Sequence, residues 1–576
     1  MKNNLNSKDI IVISLMGAVL LIAIGFLGDN LPEYSYGLAF GIIVFIAFIY
    51  NTYKEKIKNR YKVFLQNEEE LNKKKRNFSN ISKLHKVLKL NNVEYIDDQT
   101  WADLEMDKVF EKVDYTLTTP GEQALYEILR KPLYNEKELA NRKELINSMQ
   151  SNEDLKEELQ RILFKLGMQY NGDIIELLYT QGETKGYKKY LYDFLALLCL
   201  ISIGSIFFIK TYGVLMLLFV SSINMYIHYK INKDIIGKVN SITYLAEVLA
   251  TAKKICTLDN VVLNDIKDNL ERNLKECSSI IKNSSSIGRI EGIDALGDYI
   301  NILFLSQVRG YYSVIESIEK KKDFIREVYY IVGEVDALVA VGLFRKHLSE
   351  YTEPELGKEI DIEIQGEDLK NPLVEECVAN SIHLKNSGII LTGTNMSGKS
   401  TFLRTLGINA ILAQTIYTTC SKSYKSSYFN ILTSISPKDD ISTGKSYYLG
   451  EAESVLRILN KLNDKIPVLC IIDEIFRGTN PIERISASAE ILNYIIGRKA
   501  ISIVATHDID LINLVDKRYT PFYFSEEVDE REGLKFDYKI KNGVSPTRNA
   551  IKLLRFIGYP EEITKGAEER ILPLET

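Results

Sequence analysis

Gly393-Thr394-Asn395-Met396-Ser397-Gly398-Lys399-Ser400-Thr401 decides how this 576-residue chain is read. Two glycines flank four residues and Lys-Ser follows, the pattern of a phosphate-binding loop. Gly388-Ile389-Ile390-Leu391-Thr392 before it reads as a buried strand, and Phe402-Leu403-Arg404-Thr405-Leu406 after it as the start of a helix. Strand, glycine loop and helix together converge backbone N–H groups and a helix N-terminus on an anion. In that geometry Gly393 to Thr401 cradle phosphates, Lys399 reaches the outer ones and the Ser400 hydroxyl ligates Mg²⁺. A chance glycine turn in an α/β domain is the competing reading, and the sequence downstream weighs against it.

Two more apolar strands end in polar residues suited to the same chemistry. Val468-Leu469-Cys470-Ile471-Ile472 runs into Asp473-Glu474. A carboxylate at such a strand end holds Mg²⁺, and its neighbour can orient and deprotonate a water. This assigns Asp473 to the metal and Glu474 to general-base catalysis. Ile501-Ser502-Ile503-Val504-Ala505 ends in Thr506-His507-Asp508, placing His507 at the sheet edge where ligands bind. There it can sense the γ-phosphate. Ser446, between the loop and the acidic strand, either caps a helix or meets nucleotide across a dimer interface. Strands alternating with helical patterns from Tyr351 onward predict a parallel sheet with helices on both faces.

Bulk composition narrows the rest. A net charge of −5 does not advertise nucleic-acid binding. Six scattered cysteines, with no Cys-x-x-Cys pair, suggest neither a disulfide framework nor a zinc site. Apolar length is the exception to a soluble reading. Ile10 to Leu27 and Tyr36 to Tyr50 form one pair of apolar runs, and Leu191 to Ile209 with Tyr212 to Ile227 form another. A signal peptide fits the first run poorly, because another apolar run follows at once. Buried core helices remain open for the second pair. Lys54, Lys56, Lys58 and Arg60 follow the first pair. Lys185, Lys188 and Lys189 precede the second, and Lys230 and Lys233 follow it. The predicted arrangement is two hairpins dipping into the cell membrane, with termini and soluble mass cytoplasmic.

This reading, together with the family resemblance set out below, predicts five consecutive domains. Residues 1–53 are the first hairpin, and 54–185 a charged helix and the start of a helical lever. Residues 186–230 are the second hairpin, 231–350 the long-helix lever and 351–576 the ATPase domain. In the lever, Val239, Ile242, Leu245 and Val248, and later Val314, Ile318, Ile325 and Val328, recur at helical spacing.

The motifs carry a resemblance. Thr392 to Thr401 with Arg404-Thr405-Leu406-Gly407 is similar to the ATPase signature of MutS-type proteins, Asn395-Met396 being distinctive. Asp473 to Thr479 is similar to their acidic-strand motif, with Phe476 where Gly is usual. Ala505-Thr506-His507 resembles their histidine switch, and Asp440 to Glu453 the segment that reaches the other subunit's nucleotide. Asn371 stands where their His is usual, and Asn549-Ala550-Ile551 departs from their C-terminal dimer motif. Asp107 to Arg142 and Gly333 to Leu338 resemble the start and last helix of their lever domain. The resemblance implies an α/β P-loop NTPase domain of the ABC type at the C-terminus, preceded by a mainly α-helical lever, while the apolar runs predict the two transmembrane hairpins. It implies ATP and Mg²⁺ as cofactors and a homodimer whose site takes Ser446 in trans. DNA and membrane lipid are the other partners to consider. No residues match the family's mismatch reader. A membrane-associated motor and a nucleotide-gated scaffold without a DNA role are the alternative outputs.

Overall fold

The computed structural model describes residues 61, 73–89, 95–170, 172–180, 187–278, 280, 301–357, 361–394, 397–435, 447–476, 479–529, 533–544 and 550–571. The first expected hairpin, Asn395, Met396, Ser446 and Asn549 lie outside the described residues. The chain divides into two compact units, each assembled from three segments. One comprises Met1–Val87, Thr116–Ala124 and Asn152–Val339; the other comprises Leu88–Tyr115, Leu125–Ser151 and Ala340–Thr576. This grouping differs from the consecutive domains expected, because 88–115 and 125–151 join the C-terminal segment and not the lever.

The first unit is helical in its described residues. Asn152 and Asp173 cap the helices Glu153–Leu166 and Ile174–Tyr179 by accepting from the N–H groups of Leu155 and Glu176. Helices Tyr187–Ile209 and Thr211–Cys256 pack side by side. The second runs unbroken through the boundary expected at residue 230, where no proline interrupts it. Its C-terminal half buries Val239, Ile242, Leu245, Val248, Ala252 and Ile255 at the predicted spacing. Val314 and Ile318 of Ser306–Lys320, and Ile325 and Val328 of the following helix, are buried as well. The apolar stretches Tyr190–Ile209 and Thr211–Ile231 differ: only 22% and 11% of the most apolar 18 residues of each is buried. Phe207, Phe208, Leu215 and Phe219 face outward.

The second unit is built on a six-stranded sheet. Its strands in chain order are β4 Gly388–Thr392, β6 Asn430–Ser434, β7 Val468–Asp473, β8 Ala500–Ala505, β9 Tyr519–Tyr523 and β12 Lys541–Asn542. Their order across the sheet is β12-β9-β4-β8-β7-β6, all parallel except β12 against β9. Every residue of β4, β6, β7 and β8 is buried, which accounts for the largely apolar texture of β4, β7 and β8. Strands β1 Glu355–Gly357, β2 Glu363–Leu369, β3 Asn380–Lys385 and β5 Ser423–Ser427 form a second sheet, and β10 Glu526–Asp529 pairs with β11 Gly533–Phe536. Helices Lys399–Ile416, Tyr447–Lys461 and Pro481–Ile496 complete the layers.

The early segments of this unit have a defined place in it. Helix Asp98–Asp103, capped by Asp97, lies on edge strand β6. The Asp103 carboxylate accepts from the Thr433 hydroxyl at 2.8 Å and the Ile435 N–H at 3.0 Å, while the Thr433 N–H donates to the Thr100 hydroxyl at 3.2 Å. A backbone edge that would otherwise stay open is thereby covered. Arg345, fully buried, donates to Asn147, Thr418 and the Tyr417 carbonyl, closing the C-terminal end of helix Lys399–Ile416.

Candidate functional site

The loop after β4 turns at two glycines. Gly393 has φ +140° and Gly398 φ +106°, backbone that favours glycine. A methyl group on Gly393 would also stand 2.9 Å from the Phe524 carbonyl. Lys399 opens the following helix and is buried. Its ammonium donates to the carbonyls of Gly393 at 2.6 Å and Thr394 at 2.7 Å, and Ser397 donates to Thr394 at 2.8 Å. These bonds tie Gly393 and Thr394 to Ser397 and Lys399.

Adjacent strands bring the other predicted residues to this edge. The Ser400 hydroxyl donates to Asp473 Oδ2 at 2.5 Å, joining the start of the helix to the end of β7. Glu474 follows at φ +63°, its N–H donating to the Ala505 carbonyl at 2.9 Å. His507 Nε2 lies 3.0 Å from Glu474 Oε1. The Thr506 N–H donates to Leu391 at 3.0 Å, tying the end of β8 to β4. Lys399, Ser400, Asp473, Glu474 and His507 therefore share one sheet edge. An observation beside them explains the sequence departure at 476. Phe476 has φ +61°, a conformation suited to glycine, yet its ring is buried and packs 5.4 Å from Tyr448.

The donor set fits Mg²⁺. Ser400 and Asp473 offer two oxygen donors side by side, and Mg²⁺ takes one or two protein oxygens with substrate phosphates and waters completing its shell. Among the described residues, no group of three His, Cys, Asp or Glu side chains could hold a metal by itself.

Three contacts here escape sequence reasoning, although Asn380 and Tyr538 lie in stretches that resemble the MutS-type pattern. Arg484 and Asp508 make a two-point ion pair at 2.6 and 2.8 Å beside His507. The Tyr538 ring lies against Gly398, 3.2 Å from where a Cβ would stand, with φ +52° of its own. Asn380 clasps that turn, donating to the Tyr538 carbonyl and accepting from the Ile540 N–H. No spacing in the chain signals any of these, because each joins residues of different elements.

Residues 389–575 match the family description MutS domain V. The chain is 28% identical over 267 residues to the DNA mismatch repair protein MutS of Thermotoga maritima, 45% of this chain and 33% of the relative. It is 34% identical over 223 residues to that of Petrotoga mobilis, 37% of this chain and 26% of the relative. Against Thermus aquaticus MutS it is 27% identical over 258 residues, 44% and 31% respectively. The match to MutS domain V lies in the C-terminal part of the chain. The chain spans about a third or less of the length of these MutS relatives.

Proposed function

We propose that this chain is a membrane-anchored, MutS-like P-loop ATPase that works as a homodimer. The observation that carries the reading is the convergence of Lys399, Ser400, Asp473, Glu474 and His507 on one edge of a parallel sheet, with Ser400 on Asp473 and His507 on Glu474. The loop amides and Lys399 bind the phosphates of ATP, and Lys399 exchanges its loop carbonyls for them. Ser400 and Asp473 hold Mg²⁺, which neutralises phosphate charge. Glu474 accepts a proton from the attacking water. His507 registers the γ-phosphate through its contact with Glu474, and Ser446 of the other subunit completes the site.

The membrane part rests on the outward-facing apolar stretches. About 20 residues at ~1.5 Å rise span about 30 Å, the thickness of a hydrocarbon core. Tyr190, Tyr226 and Tyr229 are exposed near the ends of the two stretches, beside Lys230, as interfacial anchors are. Together with the apolar runs of residues 1–53, they support a multi-pass protein of the cell membrane with its ATPase on the cytoplasmic side.

The relatives are named for DNA mismatch repair, so a DNA-coupled ATPase is the first output to test. The exposed hairpin favours a second, an ATP-driven motor coupled to lipid or a membrane partner. ATP turnover by the detergent-solubilised protein, with duplex, mismatched or branched DNA and with lipid vesicles, separates them. DNA stimulation that weakens steeply with salt supports the first, and stimulation by vesicles alone the second. ATP binding without turnover under every condition would leave a nucleotide-gated scaffold and remove the enzyme.

A further inference from the structure

Glu474 and His507 leave neighbouring strands, and their approach at 3.0 Å needs an explanation, since the His507 side chain is substantially exposed. The residue after His507 supplies it. Asp508 accepts from Arg484 Nη2 at 2.6 Å and Nε at 2.8 Å. Its own N–H donates to the Thr506 hydroxyl at 3.0 Å. Arg484 sits one turn into helix Pro481–Ile496, with its N–H on the Asn480 carbonyl and the Asn480 side chain capping the helix. That helix is the element reached from the end of β7. The contacts therefore close a circuit: Glu474 to His507, Asp508 to Arg484, and along the chain back to Glu474.

Two physical points separate this pair from an ordinary surface ion pair. Two parallel N–H···O bonds to one carboxylate fix direction as well as distance. The cation is also within electrostatic reach of Glu474 and of Glu451 on helix Tyr447–Lys461. At about one-fifth exposure of each side chain, such a pair adds little to global stability. Its effect is orientation. Glu474 at φ +63° is a conformation that persists only when its surroundings over-determine it.

We propose that Arg484 is a positioning residue for ATP hydrolysis, holding the His507 turn against Glu474 through Asp508. The proposal rests on the ATPase reading above. Arg484→Ala, Asp508→Ala and the double variant test it in the full-length solubilised protein. Each single change should lower kcat about tenfold to a hundredfold while KM for ATP stays within about threefold, because the geometry lost concerns the reacting water and not phosphate binding. The double variant should be no worse than the worse single, as for two residues acting as one unit. Turnover of Arg484→Ala within about twofold of the parent, a loss confined to KM, or additive losses would each overturn it. A second readout needs no turnover. With ¹³C-labelled histidines, assigned by His507→Gln, the His507 ring signal should shift in Arg484→Ala while the other four stay in place. An unmoved His507 signal refutes the positioning role even if the parent hydrolyses ATP. A parent that does not hydrolyse ATP removes the ATPase reading, and the ring signal then decides the geometry alone.

Discussion

Thr118 gives both its backbone N–H and its hydroxyl to one oxygen of Asp336, at 2.8 and 2.6 Å. The Leu117 N–H reaches the same carboxylate at 3.0 Å, and the Thr118 hydroxyl in turn accepts from Gly121. These hydrogen bonds favour the charged form, but complete burial outweighs them and pushes the Asp336 carboxyl up to about 7.

That shift has a sign. The folded state holds this proton more tightly than the unfolded chain, whose carboxyl titrates near the ordinary 3.8. The stabilisation is complete below about 4 and is lost as pH rises through about 7. Asp336→Asn should abolish this component, so the difference between variant and parent should change by on the order of a few kcal/mol between pH 4 and pH 8. Urea unfolding across that range checks it, and parallel curves would refute the assignment.

Gly121 tolerates no side chain. A methyl group there would lie 2.0 Å from Asp336 Oδ2, and one on Gly333 would lie 2.4 Å from the Pro120 carbonyl. Gly121→Ala should cost about 3 kcal/mol or more, the upper end of overpacking. Gly237→Ala, with nothing within 4 Å of its Cβ and a helical backbone, should instead be neutral or gain about 0.5–1 kcal/mol. Thermal midpoints of the two variants give the comparison.

At Phe476 two effects compete. Its left-handed backbone costs about 1–3 kcal/mol for a non-glycine residue. Removing a buried phenylalanine ring costs about 3–5 kcal/mol. Burial wins on the central values, so Phe476→Gly should destabilise by about 2 kcal/mol although it relieves the backbone. A gain in stability would mean that the contact with Tyr448 contributes little.

Glu474→Gln should keep ATP binding and lower turnover at least about a hundredfold, the usual worth of a general base. Lys399→Ala should instead weaken nucleotide affinity. Fluorescent-nucleotide binding and phosphate release measure the two separately, and normal turnover in Glu474→Gln would remove the proposed base.

Much of the site was legible because its strands are buried on both faces. Gly388–Thr392, Val468–Asp473 and Ala500–Ala505 stand where the apolar runs placed them, and their polar ends define the edge. Strand Tyr519–Tyr523 was not named in advance, since it carries Pro521 and is only partly buried. The Arg484–Asp508 pair was equally hidden, because charges 24 residues apart on different elements leave no periodic trace. The role of Asp103 is the extreme case. Its partner Thr433 lies 330 residues away, and an Asp at the end of a short helix reads as ordinary surface until that strand edge is in view.

The separation between Asp103 and Thr433 has a consequence for biosynthesis. At ordinary translation rates the helix Asp98–Asp103 leaves the ribosome roughly 15–70 s before the strand it must cover. During the delay Thr100 and Asp103 lack their final partners at Thr433 and Ile435, while residues 190–231 are being synthesised. Nor can the second unit be excised as a continuous tail. A truncated protein beginning at Tyr351 would expose the edge of β6 and lose Arg345 from the Thr418 hydroxyl and the Tyr417 carbonyl, leaving a fragment prone to aggregate through the open strand.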